Sequence, residues 1–531
     1  MRAKLTNAVF SYLRQRRLLS SILPITNLSS PSLNPNWVSL FCTLPSNVST
    51  CEPHSAEENG KGTSLSWRIE SLPRGEPVGS AFRSWMGDGF PVRSADIFHS
   101  VNRLRKMKAN KRALEVMEWV IRERPYKLKE LDYSFLLEFT IKIHGPSQGD
   151  KIFNNVPSEF QNELLYNNLV ISYLEKGLVK LSLAYMKKMR ELGHTISHIV
   201  FNRLIILHSS LKRRKHIPRF LAQMKSSGVH PHVSTFNILM KMEANDHNLE
   251  GLARAFDKMK QAKVEPNEVS FCILATAYSV ARLYTVSEAY VESIESSKTG
   301  NNWSTYDILL MLYGYLGKLK DLERTWGIIQ EFPNIKSKSY ILGIEAFGRI
   351  GELTKAEDLW LEMKAKKGLK LIDQYNAMIS VYCKHGLVTK ATKLYREIEE
   401  TGCKPNAITF RHLALGCLRG GLLKETVKTL EIGMGFLVIS KIRKSTPWLQ
   451  TTFSIMEIFA ENGDVENANK CIEELKYANY TRYSFVYNTL IKAYVKGKVY
   501  NSHLLKRMIL GGARPDSETY ALLKLVDQFQ T

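Results

Sequence analysis

One stretch of about 35 residues recurs along this chain and limits the fold more than any other feature. Its clearest copy, residues 372–406, reads IDQYNAMISVYCKHGLVTKATKLYREIEETGCKPN. Tyr375, Met378, Ile379 and Tyr382 fall on one stripe of a first helix, because residues three and four apart share a helical face. Gly386 breaks the pattern. A second stripe follows through Ala391, Leu394, Tyr395 and Ile398, and Gly402 with Pro405 ends it. A helical hairpin of this size cannot bury its own apolar faces and must stack on neighbours of the same kind.

The copies start near Glu130, Glu163, His198, Val233, Glu268, Trp303, Ser337, Ile372, Ala407, Leu449 and Ser484, with a truncated one at Ser517. The fourth residue is usually aromatic: Tyr133, Tyr166, Phe201, Phe236, Phe271, Tyr306, Tyr340, Tyr375, Phe410, Tyr487 and Tyr520. These rings are expected to fill the seams between hairpins. The array therefore covers 130–531, about eleven repeats plus the truncated one. Residues 94–129 read as one further hairpin that caps it, with Val101, Leu104, Met107, Ala113, Leu114, Met117 and Val120 on its apolar stripes. The block from Ala407 to Trp448 is longer than the rest and lacks the closing Gly-x-x-Pro turn. A lengthened helix and a local change of pitch are expected there.

Upstream the texture differs. Met1 to Cys51 contains no acidic residue, carries Arg2, Lys4, Arg14, Arg16 and Arg17, and spaces Leu5, Val9, Phe10, Leu13 and Leu18 as an amphipathic helix does. A basic, serine-rich, acid-poor and amphipathic start is the composition of an organelle transit peptide. Its early arginines favour the mitochondrion, with the chloroplast as the alternative. Residues 1–66 are read as the cleaved segment, and the Gly-, Pro- and Ser-rich residues 67–93 as a linker.

Charge and composition narrow the chemistry. Lys+Arg of 74 against Asp+Glu of 51 leaves a net charge of +23, an excess that suits a polyanionic partner. The seven cysteines show no C-x-x-C spacing, which argues against a zinc ribbon or a dithiol redox motif. No apolar run approaches the roughly 18 residues needed to cross a bilayer. His194 and His198 have the i, i+4 spacing of a metal pair but straddle an inter-repeat turn, with no Glu–His partner motif. No G-x-S-x-G element occurs, and Gly433-Met434-Gly435 lacks the context of a phosphate loop. The expectation is a non-catalytic chain without a cofactor, metal or membrane span.

The segments YNNLVISYLEKG, YNAMISVYCKHG and YNTLIKAYVKG, with the closing QMKSSGVHPH, KMKQAKVEPN and REIEETGCKPN, resemble pentatricopeptide repeats. The likeness covers about three quarters of the chain, which in detail is similar to the plant organellar P-type members. The W-x-x-L-G-x-x-Y signature of tetratricopeptide repeats is not found. Nor is the H-x-E with C-x-x-C of the related deaminase-bearing editing factors. The resemblance implies an all-α, right-handed α-solenoid superhelix of helix-turn-helix repeats. Single-stranded RNA would lie in its concave groove, one base per repeat.

In that family the fifth and last residues of a repeat read the base. By resemblance, Asn167 with Ser197 is a cytosine reader. Asn237 with Asn267 and Asn376 with Asn406 read pyrimidines, and Asn488 with Asp516 reads uracil. An Asn side chain offers a donor and an acceptor to a Watson–Crick edge, and a polar last residue can hold that amide in place. The same residues also suit simple helix caps and turns. Other pairs, such as Ile341 with Leu371 and Phe453 with Tyr483, have no recognisable code. Lys384, Arg419 and Lys496 share the thirteenth position and, with Arg411, are the candidates for phosphate. Four ideal readers of these types discriminate roughly 64-fold, too little to select one site from an organelle genome. The expected partner is therefore pyrimidine-favouring single-stranded organellar RNA, bound to support transcript stability, processing or translation. A solenoid docked in a protein complex such as the organelle ribosome is the alternative.

Overall fold

The computed structural model describes residues 64–530, apart from Arg74, Lys212, 298–302, Pro333, Lys370 and 436–441. The expected transit segment lies outside the described residues up to position 63. Among the described residues there are helices and turns and no strand. The chain divides into two compact units at Leu239.

The first unit begins with α1 (Leu65–Ser71), α2 (Gly79–Gly87), α3 (Ser94–Lys106) and α4 (Asn110–Glu123). Residues 67–93 are thus not a linker. Leu65, Ile69, Val78 and Phe82 are buried in the same core as Val101, Leu104, Met117 and Val120. The Phe82 ring stacks on Trp119 at 3.7 Å and 5°. Arg112 donates to the carbonyls of Glu76 and Pro73, tying the turn between α1 and α2 to α4. The glycines and prolines that suggested a linker sit in the turns and at helix starts. Two helices this short are ordered by burial rather than by propensity.

Hairpins follow: α5 (Glu130–His144) with α6 (Pro146–Asn155), α7 (Glu163–Glu175) with α8 (Val179–Glu191), and α9 (His198–Ser210) with α10 (Ile217–Ser226). Helix α11 (Val233–Asn245) spans the division between the units.

The second unit continues through α12 (Leu249–Gln261), α13 (Glu268–Val280), α14 (Tyr284–Ser297), α15 (Trp303–Leu316), α16 (Leu319–Gln330), α17 (Ser337–Ile350) and α18 (Leu353–Lys367). Then come α19 (Ile372–Lys384), α20 (Val388–Glu400), α21 (Ala407–Arg419), α22 (Leu423–Gly435), α23 (Thr446–Glu461) and α24 (Val465–Lys476). The unit ends with α25 (Ser484–Gly497), α26 (Leu504–Leu510) and α27 (Ser517–Asp527). From α13 to α27 each odd-numbered helix packs on the next odd-numbered one. The first helices of successive hairpins therefore form a continuous row. Small residues allow the close approach: a Cβ added to Gly348 on α17 would lie 2.3 Å from Val381 on α19. The fourth-residue aromatics are buried, except half-buried Phe271 and exposed Tyr520. Tyr340, Tyr375 and Phe410 each meet an aromatic of the preceding second helix, Trp326, Trp360 and Tyr395, at 5.4, 5.5 and 5.9 Å.

The long block holds one lengthened helix, and it is the last to start in it. Its second helix, α22, has 13 residues, no more than its neighbours. Part of the extra length lies in α23, which has 16 residues and starts at Thr446 rather than Leu449. Pro447 in the first turn of α23 needs no N–H partner and so extends the helix at its start.

Candidate nucleic-acid interface

The fifth and last residues of a repeat meet across the seam between hairpins. Asn376 Nδ2 donates to Asn406 Oδ1 at 3.3 Å. Asn406 is itself the N-cap of α21, and its Oδ1 accepts from Ile408 N at 3.0 Å and Thr409 N at 3.1 Å. The Thr409 hydroxyl donates back to Asn376 Oδ1 at 2.8 Å. Capping and holding the amide are thus one arrangement: the last residue satisfies an orphan N–H of the next helix and fixes the Asn of its own repeat.

The same geometry recurs at the next matching pair. Asn488 Nδ2 donates to Asp516 Oδ1 at 3.1 Å, and Thr519 Oγ1 donates to Asn488 Oδ1 at 2.7 Å. Asp516 Oδ1 caps α27 through Thr519 N at 2.9 Å. Burial pushes the Asp516 carboxyl up. Hydrogen bonds from Ser484, Thr519 and Asn488 outweigh that and hold it at about 2. Asn488 also donates to Glu518 at 3.0 Å, so both of its amide hydrogens have acceptors.

The remaining pairs differ. Asn167 Oδ1 accepts from Ser197 N at 2.8 Å, and its Nδ2 donates to the carbonyls of Glu163 and Thr195 at 2.7 and 3.0 Å. Ser197 caps α9 through Ile199 N at 3.2 Å. Asn167 is thereby fully bonded within the protein. Asn267 caps α13 through Ser270 N at 3.1 Å, and Asn237 is buried on α11. The four fifth-position Asn side chains are only 1–8% exposed.

Sequence reasoning missed the third residue. Thr235, Ser270, Thr305, Ser339, Thr409 and Thr519 all occupy it, and all are buried. Ser339 repeats the motif with an acid: its hydroxyl donates to Asp307 Oδ1 at 2.6 Å. The available signal was a hydroxyl three residues after the cap, the spacing of a capping box.

The phosphate candidates separate into two kinds. Arg419 and Lys496 are exposed, and Lys384 is half-buried. Burial, then the neighbouring Arg349 and Arg419 charges, push Lys384 down to about 7 against the opposing pull of Glu345. Arg349, Lys384 and Arg419 are thus neighbours in the thirteenth position of three consecutive repeats. Arg411 departs from the expectation. It is 3% exposed, pairs with Glu474 at 2.6 Å and lies over the Trp448 ring at 3.7 Å. A guanidinium enclosed in this way is a core ion pair, not a phosphate contact.

The histidines draw together in pairs, His198 with His232 at 4.8 Å and His208 with His216 at 5.4 Å between ring centroids. Among the described residues no group of three or more His, Cys, Asp or Glu side chains could hold a metal ion. No helix among them is long and apolar enough to cross a membrane.

Family models match at three levels: a PPR repeat family over 372–419, a pentatricopeptide repeat domain over 184–246, and a PPR repeat over 165–194 and 344–367. The chain is 57% identical over 531 residues to a mitochondrial pentatricopeptide repeat-containing protein of Arabidopsis thaliana, covering 98% of this chain and 99% of that one. Two further mitochondrial members from the same plant are 25% and 26% identical, covering 86% and 88% of this chain and 75% and 77% of theirs. Among solved structures, the pentatricopeptide repeat protein PPR10 in complex with an 18-nt psaJ RNA element is similar at 16% identity. That likeness covers 87% of this chain and 75% of that one, with a TM-score of 0.40. The localisation is mitochondrial, in line with the arginine-bearing, acid-free amino-terminal residues and with these relatives. Repeat length, the motif at each repeat end and the match over nearly the whole chain agree, and the chain belongs to the pentatricopeptide repeat family.

Proposed function

We propose that this protein is a mitochondrial scaffold that binds single-stranded RNA along its row of first helices. It acts in transcript stability, processing or translation and performs no catalysis. The observation that carries this reading is the cap-held amide of Asn376, repeated at Asn488. A fixed amide loses no rotamer freedom when a base edge meets it, and among the described residues Asn376 Nδ2 donates only to Asn406, which leaves its second hydrogen for a base. Arg419, Lys496 and Lys384 supply the backbone contacts, and the net charge of +23 supplies long-range attraction. Asn237 with Asn267 and Asn167 with Ser197 complete the set of readers, with a preference for pyrimidines, and Asn167 exchanges one of its internal bonds to meet a base.

The test is binding of the mature protein to pyrimidine-rich and purine-rich single strands across a salt series. Tighter pyrimidine binding that weakens with salt is expected. Affinity indifferent to salt and to Asn376→Ala and Asn488→Ala refutes the reading.

A second reading, docking to a protein assembly such as the mitochondrial ribosome, is favoured by exposed apolar side chains near the end of the second unit. Ile509, Leu510 and Tyr520 on α26 and α27 are 56%, 77% and 53% exposed. Co-sedimentation with a ribosomal subunit that survives nuclease supports it, and loss on nuclease treatment removes it.

A further inference from the structure

Within the second unit, distant repeats touch. Arg282, just past α13, pairs with Glu457 on α23 at 3.0 Å. Its guanidinium lies 4.6 Å from the Phe453 ring and 5.0 Å from that of Phe485. His247, just past α11, meets the Tyr483 hydroxyl at 3.0 Å, and Arg482 donates to the Asp246 carbonyl at 3.1 Å. Arg349 at the end of α17 stacks on Tyr315 at 4.1 Å and donates to Gln450 at 3.2 Å, while Gln450 also bonds the Tyr315 hydroxyl. Apolar contact accompanies the polar one: Ala281 belongs to the core of Phe453, Tyr480 and Tyr483, with Leu249 and Val280 packed against it.

Two observations mark this contact as built. The fifteenth residue of a repeat takes a left-handed turn, filled by glycine at Gly177, Gly317, Gly351, Gly386, Gly421 and Gly463. His247, Arg282 and Lys498 hold that turn at φ of 54°, 61° and 54° despite their side chains, at a cost of order 1 kcal/mol each. The first two are the side chains that reach across. The second observation concerns the partner side. Phe453 and Tyr483 are the fifth and last residues of the repeat at 449, where readable repeats carry Asn with a polar cap. They lack a base code because they serve as the apolar seat of the contact.

We propose that this contact is a clasp that closes the second unit, and that single-stranded RNA must displace it to lie along the repeats from 268 to 337 and from 449 to 483. The inference rests on the RNA-binding reading above. The clasp occupies the base-reading positions of the 449 repeat and the thirteenth-position residues Tyr315 and Arg349. A strand and a closed clasp therefore exclude one another. Apparent affinity is then lowered by the fraction of time the clasp stands open.

The test compares wild type with Arg282→Ala and Gln450→Ala in two measurements: hydrogen exchange of residues 446–461 and 480–483 without RNA, and association with a pyrimidine-rich single strand. Matching far-UV circular dichroism establishes that the variants fold. Each variant is expected to raise exchange in both segments and to speed association about threefold to tenfold. For Arg282→Ala this gain runs against the loss of a cation, which by itself weakens binding to a polyanion. Wild-type RNA binding with variants equal to or slower than wild type overturns the clasp. No RNA binding by any of the proteins overturns the RNA reading, and the gate with it. Unchanged exchange in both variants overturns the closed state directly.

Discussion

Asn488 and Asp516, one near the start of a first helix and the other capping the first helix of the next hairpin, are joined at 3.1 Å between amide and carboxylate. The bond couples two properties that a solenoid needs together. It stitches neighbouring repeats, and it fixes the fifth-position side chain, one of the two that the family's code uses to read a base.

That coupling has a stability consequence. Asp516→Ala removes the cap of α27 and is expected to cost about 0.5–2 kcal/mol, read as faster hydrogen exchange across 517–527. A double-mutant cycle with Asn488→Ala should show non-additivity, since the two residues share Thr519. Strict additivity would break the claimed link.

For recognition, Asn376→Ala removes an amide that has a free hydrogen. Binding to a pyrimidine-rich strand should weaken by about 1 kcal/mol, roughly fivefold, with the salt slope unchanged. A changed slope with no loss of base preference would place Asn376 outside base contact.

The basic residues should split cleanly. Arg411→Leu leaves Glu474 without its partner and opens the face of Trp448, so a loss of about 3 kcal/mol in urea melts is expected. Arg419→Ala and Lys496→Ala should leave the melt within about 0.5 kcal/mol and lower the salt slope of RNA binding by about one contact each. Equal effects on both measurements would contradict the division.

Acid should weaken the second unit through His412. Burial pushes its imidazole down to about 3, beside Lys384 and Arg411, and the Thr451 hydroxyl lies 3.1 Å from Nδ1. The unfolded chain binds that proton near 6.5 and the folded chain near about 3, so the unfolded state holds more protons between these values. Stability attributable to His412 is therefore complete above pH 6.5 and falls as pH drops towards 3, by up to about 1.4 kcal/mol per pH unit. His412→Gln should flatten the profile in that window, measured by urea melts at stepped pH.

At the amino-terminal side, Phe82→Ala tests whether 65–87 belongs to the folded unit. Losing the ring stacked on Trp119 should cost about 3–5 kcal/mol and open the segment to limited proteolysis. Proteolysis unchanged from wild type would restore the linker.

Much of the site is legible in the chain. The caps and turns are local: polar residues such as Asn406 and Asp516 announce a helix start, and glycines such as Gly386 and Gly421 announce the turn behind it. The fifth-position Asn residues stand out by spacing alone. Thr409 and Thr519 were equally spaced and equally readable, but a Thr at a helix start has many uses, and only its distance to Asn376 or Asn488 distinguishes this one.

Arg411 shows where local reading stops. In sequence it is one more cation in a basic chain, and only the approach of Glu474 and Trp448 makes it a core residue. The clasp is a stronger case, because His247 and Tyr483 are 236 positions apart and no periodicity relates them. The sequence determined the hairpin, its length and the order of stacking, since each follows from the 3.6-residue face and from residues with special backbone freedom. The tertiary structure decided which cations face solvent, which amides are already bonded, and where the array touches itself. Those outcomes depend on what the stacking brings near a side chain, and small rotations between repeats accumulate over many hairpins into contacts that no single repeat encodes.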